Sequence, residues 1–228
     1  QLDLEVEILQ GISVKNIFML KTQISKLKKV DLRNVWGHEA LDFTQWLSLE
    51  ENLSLLSEEV GISIKLLQTE ATVGRYNVDI LAEEENSGRK IIIENQLEDT
   101  NHDHLGKIIT YASGYDAEVI IWIVKNYREE HRKAIDWLNE HTDQKISFYL
   151  VRLELWQIED SNPAPKFDIV ARPNEWAKVI KSTENSEEYT DTKIKQFEFW
   201  TKFKDYVKSK DPKVRLQTPR YQNWYDIS

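Results

Sequence analysis

The chain has 228 residues, 40% hydrophobic with eight Trp, and a formal charge of −9. That is enough for one substantial α/β domain plus a smaller appendage, and it argues against global disorder. With no Cys, disulfide scaffolds, cysteine-based zinc sites and thiol nucleophiles are excluded, and no apolar run approaches the roughly 20 residues that span a bilayer. The opening Gln1-Leu2-Asp3-Leu4-Glu5-Val6-Glu7 has neither the basic nor the apolar region of a secretion signal. A soluble, cytoplasmic protein with no membrane partner is expected, and a start other than Met suggests a leader removed or left out. Charge is uneven: residues 190–228 hold nine Lys/Arg against five Asp/Glu, a balance of +4, leaving −13 on residues 1–189. That acidic part reads as an ordinary solvated surface or as one offset by bound cations.

In chain order, alternating Leu2, Leu4, Val6 and Ile8 suggest a strand, followed by a Lys-rich stretch over 21–29. From Asp31 the period turns helical, with Trp36, Ala40, Phe43 and Leu47 forming one stripe. Leu53, Leu56 and Val60 belong to a second helix stopped by Gly61. Strands are expected over 62–70, 75–83 and 89–96, with turns at Val73-Gly74-Arg75 and Glu85-Asn86-Ser87-Gly88, making an antiparallel meander. A helix over 102–115 should turn Leu105, Ile108, Ile109 and Ala112 inward. Residues 118–124, Glu-Val-Ile-Ile-Trp-Ile-Val, read as a central strand buried on both faces. A helix over 128–140 with Ile135 and Leu138 inward, a strand over 146–158, a Pro-containing loop and a strand over 167–171 follow. Residues 182–188 make a polar linker. Beyond it, Phe199, Trp200, Phe203, Tyr206 and Val207 share a helical face. The order helix, three strands, helix, strand, helix, strand is that of a mixed central sheet flanked by helices.

Chemistry concentrates on the meander. Asp79 lies toward the end of the run Tyr76-Asn77-Val78-Asp79-Ile80-Leu81, and Glu94-Asn95-Gln96 ends the run that opens Lys90-Ile91-Ile92-Ile93. Residues two apart on a strand face one way, so Glu94 and Gln96 share a face that Asp79 reaches if the strands are neighbours. Two converging carboxylates suit a hard divalent cation, Mg²⁺ or Mn²⁺, and so metal-assisted phosphodiester cleavage. Singly, Asp79 reads equally as a turn-former or a salt-bridge partner. Glu39, beside the apolar stripe of its helix, reads as a surface carboxylate; Glu70 is a weaker further acidic candidate, read first as a solvated strand end.

In their order, His38-Glu39 with Phe43-Thr44-x-Trp46-Leu47, Val78-Asp79-Ile80, Glu94-Asn95-Gln96-Leu97, His102-x-His104-Leu105-Gly106, His131 with Trp137-Leu138-Asn139 and Pro173-Asn174-x-Trp176 resemble a bacterial family carrying a DUF4268 domain. Asp79 followed by Glu94-x-Gln96 resembles the wider PD-(D/E)xK nuclease superfamily. The resemblance covers roughly 32–177 and implies a restriction endonuclease-like α/β core over 31–181. An N-terminal extension over 1–30, a linker over 182–192 and the beginning of a DUF4268-like module over 193–228 complete the expected organisation, so a longer natural protein is expected. It implies a nuclease with Asp79, Glu94 and Gln96 catalytic, Mg²⁺ or Mn²⁺ on Asp79, Glu94 and Glu39, and nucleic acid, DNA first, as partner; a homodimer is open to it. Gln96 stands where the family pattern has Lys. A Gln amide can orient a water but carries no charge, which leaves a non-cutting binding module as the alternative. Lys107 either reaches back to replace that charge or is a solvent lysine, the reading favoured from sequence. His102 and His104, at i and i+2, point apart and do not make a helical zinc pair; contacts to a phosphate, with capping by Asn101 or Asp103, are expected. His131 and His141 read as ordinary helix residues. The tail mixes Lys202, Lys204, Lys208, Lys210, Lys213, Arg215 and Arg220 with aromatic residues, which suits phosphate tracking or packing on another domain equally.

Overall fold

The computed structural model describes residues 24–174 and 191–210. Within them lie β1 (Leu27–Val30), a 3-10 turn (Leu32–Asn34), a π-helical turn (Glu39–Phe43), α1 (Thr44–Leu47) and α2 (Glu50–Val60). The meander β2 (Ile64–Val73), β3 (Tyr76–Glu84) and β4 (Lys90–Asp99) follows, then α3 (His102–Tyr115), β5 (Val119–Asn126) and α4 (Glu129–His141). The remaining elements are β6 (Ser147–Ile158), β7 (Ala164–Ala171) and α5 (Asp191–Lys210). The seven strands form one sheet ordered β1-β6-β5-β4-β3-β2, with β7 also on β6. β2, β3 and β4 pair antiparallel, while β4, β5 and β6 run parallel. The mixed sheet flanked by helices that the element order implies is therefore present.

Its two faces bury separate cores. Phe43, Leu47 and Leu56 pack with Ile80, Ile91 and Ile93 on one side. Ile108, Tyr111 and Ile135 pack with Ile92, Ile120 and Trp122 on the other. The crossover helices α3 and α4 share that second face, as connections of one hand between successive parallel strands require. β5 is buried from Val119 through Val124, because helices cover both its faces. Gly61, at φ 69°, closes α2 in the left-handed region, and Gly74 and Gly88 (φ 58° and 67°) make the two hairpin turns.

Several expectations need correction. The stripe over 36–47 is not one helix. His38 is extended (φ −118°, ψ 137°), Asp42 Oδ2 accepts its N–H at 2.7 Å, and Phe43 N–H reaches back five residues to the His38 carbonyl at 3.2 Å. The widened turn buries Trp36, Phe43 and Leu47 but leaves Ala40 exposed. On α3 the inward row is Leu105, Ile108, Tyr111 and Ala112; Ile109 is 43% exposed, a full 100° of rotation from Ile108. His131 lies on α4 as expected of a helix residue, and it is buried, with Nδ1 2.7 Å from Thr100 Oγ1. β1 had no counterpart in the sequence pattern. On α5 the covered row is Phe197, Trp200, Phe203 and Val207 at helical spacing, while Phe199 and Tyr206 are exposed. The strand expected near Leu2–Ile8, the linker over 182–188 and the tail beyond 210 lie outside the described residues. Among the described residues no helix is long and apolar enough to cross a membrane.

Candidate active site at the β3–β4 fork

The β3–β4 ladder runs from Glu83↔Lys90 to Ile80↔Ile93 and stops. The next opposed pair is Asp79 and Glu94. Here β4 leaves β3 and continues along β5, with Glu94 opposite Trp122 and Gln96 opposite Val124. β3 stays with β2 as far as Val73↔Tyr76. A side chain replaces a missing backbone bond: Asp79 Oδ2 accepts the Asn95 N–H at 2.6 Å. Regular strands keep residues two apart on one face, yet Val78 and Ile80 pack in opposite cores. The β2–β3 hairpin thus rolls over at Asp79, and the fork opens where it does so.

Burial dominates the electrostatics. Glu94 is 3% exposed. Burial first, then the Asp79 charge, pushes its carboxyl up to about 8. Asp79 is pushed up to about 7, again by burial first, with the charges of Glu70 and Glu39 adding to it and the Asn95 N–H opposing. Two neighbouring carboxylates in low dielectric do not both ionise readily. Lys107 Nζ stands 3.7 Å from Glu94 Oε1 and opposes the rise on both acids. His104 Nε2 lies 4.0 Å from the same oxygen, but burial, then Lys107, drives that imidazole down to about 4, so it is neutral at pH 7. Tyr111 is pushed up to about 12, by burial and then by Glu94 and Asp79. Its phenol stays protonated beside the two acids.

The structure brings Asp79, Glu94, His104 and Lys107 together and distributes the other candidates around them. Gln96 is buried on β4; its Nε2 donates to the Asp99 carbonyl at 2.8 Å and its Oε1 has no hydrogen-bond partner. Glu39, which opens the π-helical turn, accepts the Leu97 N–H at 2.5 Å, and burial raises its carboxyl. Such turns often mark functional sites. His102 faces away from this group: its Nδ1 lies 3.1 Å from His131 Nε2 on α4. Asn101 caps α3 as expected, accepting the His104 N–H at 2.9 Å. Glu70 is not at a solvated strand end but lies inside β2 with a positive φ of 50°. The sequence reading missed Tyr111, although 104, 107 and 111 recur at i, i+3 and i+7 on one helix face.

The donor set is all oxygen, and one oxygen of the 4%-exposed Glu94 side chain, Oε2, is buried without a hydrogen bond. A buried acceptor left unsatisfied is costly unless a cation or a proton meets it, so these residues fit a hard divalent ion. Among the described residues, no three His, Cys, Asp or Glu side chains already stand together as a metal-binding group. Below Asp79 and Glu94, Asn95 anchors the fork by donating from Nδ2 to the buried Thr44 Oγ1 at 2.9 Å.

No family model matches the chain, and no curated protein matches it significantly. Among solved structures, it is similar over part of its length to a repair endonuclease from Pyrococcus abyssi, at 15% identity and a TM-score of 0.33, covering 42% of this chain and 41% of that one. It is also similar to the protein of an EndoMS-dsDNA2 complex, at 13% identity and a TM-score of 0.32, covering 46% and 45%. SfsA of Pyrococcus furiosus in complex with Ca²⁺ matches at 16% identity and a TM-score of 0.31, covering 56% and 59%. The chain spans about two fifths of the length of the first of these.

Proposed function

We propose that this chain is a metal-dependent nuclease with a restriction endonuclease-like core that hydrolyses phosphodiester bonds of nucleic acid, DNA first. The observation that carries the reading is the fork. Two carboxylates, Glu94 buried and Asp79 half-buried, stand at the point where β3 and β4 part, both raised above their ordinary range, with one Glu94 oxygen unpartnered. Asp79 and Glu94 would hold Mg²⁺ or Mn²⁺, and Glu39 adds negative charge from behind the Leu97 amide. The bound ion would supply charge neutralisation at the phosphate and an acidified water.

The protein's own groups do the rest. The Asn95 N–H fixes Asp79, so that acid is held before substrate arrives. Gln96 is clamped through Nε2, which leaves Oε1 free to orient a water. Lys107, 43% exposed at its side chain, supplies the positive charge that Gln96 lacks and can stabilise developing charge on the phosphate. His104, neutral, bears no competing charge.

Incubating plasmid, single-stranded DNA and RNA with the protein in Mn²⁺ tests this. Cleavage that disappears with EDTA and with Asp79→Ala is expected; no cleavage by the wild-type chain in any substrate overturns it. Gln96 favours one second reading, a nuclease-fold module that binds without cutting. That reading requires nucleic-acid binding that EDTA and Glu94→Ala leave unchanged.

A further inference from the structure

Glu70 is the acidic residue around the fork that the cleavage scheme leaves without a task. It lies within β2, yet its φ is 50°, a region costly for a side chain of this kind. The β2–β3 ladder pairs Thr69 with Ile80 and Ala71 with Val78, which sets Glu70 across from Asp79. Opposed residues of an antiparallel pair have Cβ atoms roughly 5 Å apart. Glu70, Asp79 and Glu94 therefore form a row across three adjacent strands. Glu70 Oε1 is buried and takes no hydrogen bond. A separate observation points to a ligand for this row: the Glu94 side chain, 4% exposed, also carries a buried oxygen with no partner.

We propose that Glu70 is a third carboxylate ligand of a divalent cation held at the fork with Asp79 and Glu94. This rests on the cation reading given above. The three acids do not already stand in ligand positions, so Glu70 closes on the ion by rotating its side-chain torsions. A third carboxylate suits the preference of Mg²⁺ and Mn²⁺ for oxygen donors.

Mn²⁺ titration followed by the EPR signal of the free ion, with circular dichroism to check folding, provides the test. Glu70→Gln should weaken Mn²⁺ binding by about tenfold or more. Glu70→Asp keeps the charge and tolerates a positive φ but is one methylene short, and should weaken binding as well. Glu83→Gln, on β3 and paired with Lys65 at 2.9 Å, should stay within about twofold of wild type. If Glu70→Gln binds like wild type while Asp79→Asn and Glu94→Gln lose the ion, the fork site stands and the role of Glu70 is wrong. Wild-type affinity in Glu70→Asp with a loss in Glu70→Gln would reduce Glu70 to a charge and overturn ligation. Absence of Mn²⁺ binding in the wild-type chain would bring down the cation reading and this inference together.

Discussion

Without a divalent ion, the fork should make the protein less stable as pH rises, and Asp79→Asn should remove much of that loss. Both acids have folded-state values above their unfolded ones: Asp79 goes from 3.8 to about 7, and Glu94 from 4.5 to about 8. Between about pH 4 and pH 8 the folded protein thus holds protons that the unfolded chain has released, and linkage makes stability fall across that window. At about 1.4 kcal/mol per unit, and with part of the repulsion shared by the pair, the loss is on the order of 5 kcal/mol. Asn is isosteric with Asp and keeps an oxygen for the Asn95 N–H, so the substitution removes the titration while preserving the 2.6 Å bond. A gain of roughly 2 kcal/mol at pH 8 would raise Tm by about 4–8 °C, and the gain should shrink steadily as pH falls toward about 4. Thermal unfolding in EDTA at half-unit steps from pH 5 to pH 8 measures it. A flat wild-type profile, or an Asp79→Asn protein less stable than wild type at pH 8, would refute the reasoning.

Other expectations follow from the same geometry. Adding Mn²⁺ at pH 8 should raise the Tm of the wild-type chain and leave that of Asp79→Asn nearly unmoved, since a ligand stabilises only the state that binds it; equal shifts would argue against a shared ion. Lys107→Ala should lower the single-turnover cleavage rate by about a hundredfold while nucleic-acid binding changes little, and an unchanged rate would return Lys107 to the solvent. Thr44→Val strips Asn95 Nδ2 of its buried partner and should cost about 2 kcal/mol in chemical denaturation, with cation affinity retained if the fork itself is intact. Gly61→Ala, at φ 69°, should cost about 1 kcal/mol and leave cleavage alone.

Much of the architecture was legible because local signals agreed. The hydrophobic run of β5, the Gly74 and Gly88 turns and the Asn101 cap each stated an element's type or end without tertiary help. The π-helical turn was not legible, because Ala40 fits an α-helical stripe as well as Phe43 does. Only the His38–Asp42 cap decides between them. β1 carries Lys28 and Lys29 and is recruited by the free edge of β6, a non-local pairing with no local signature. At the site, the placing of Asp79 and Glu94 side by side followed from the meander. Their fork did not, because it depends on β4 exchanging β3 for β5. Lys107 read as a solvent lysine for a related reason. Its approach to Glu94 depends on how α3 crosses the sheet, which no periodicity states. The positive φ of Glu70 has no residue-type signal, since it falls on an ordinary strand-interior glutamate rather than on Gly or Asn.

The central claim is that Asp79 and Glu94 grip a common ion. An anomalous-scattering map from a crystal soaked in Mn²⁺ tests it most directly. The account predicts one peak between the two side chains, within about 2–2.5 Å of an oxygen from each, and its disappearance in Asp79→Asn. A well-ordered fork with no peak there, or an ion touching one carboxylate and not the other, would contradict it.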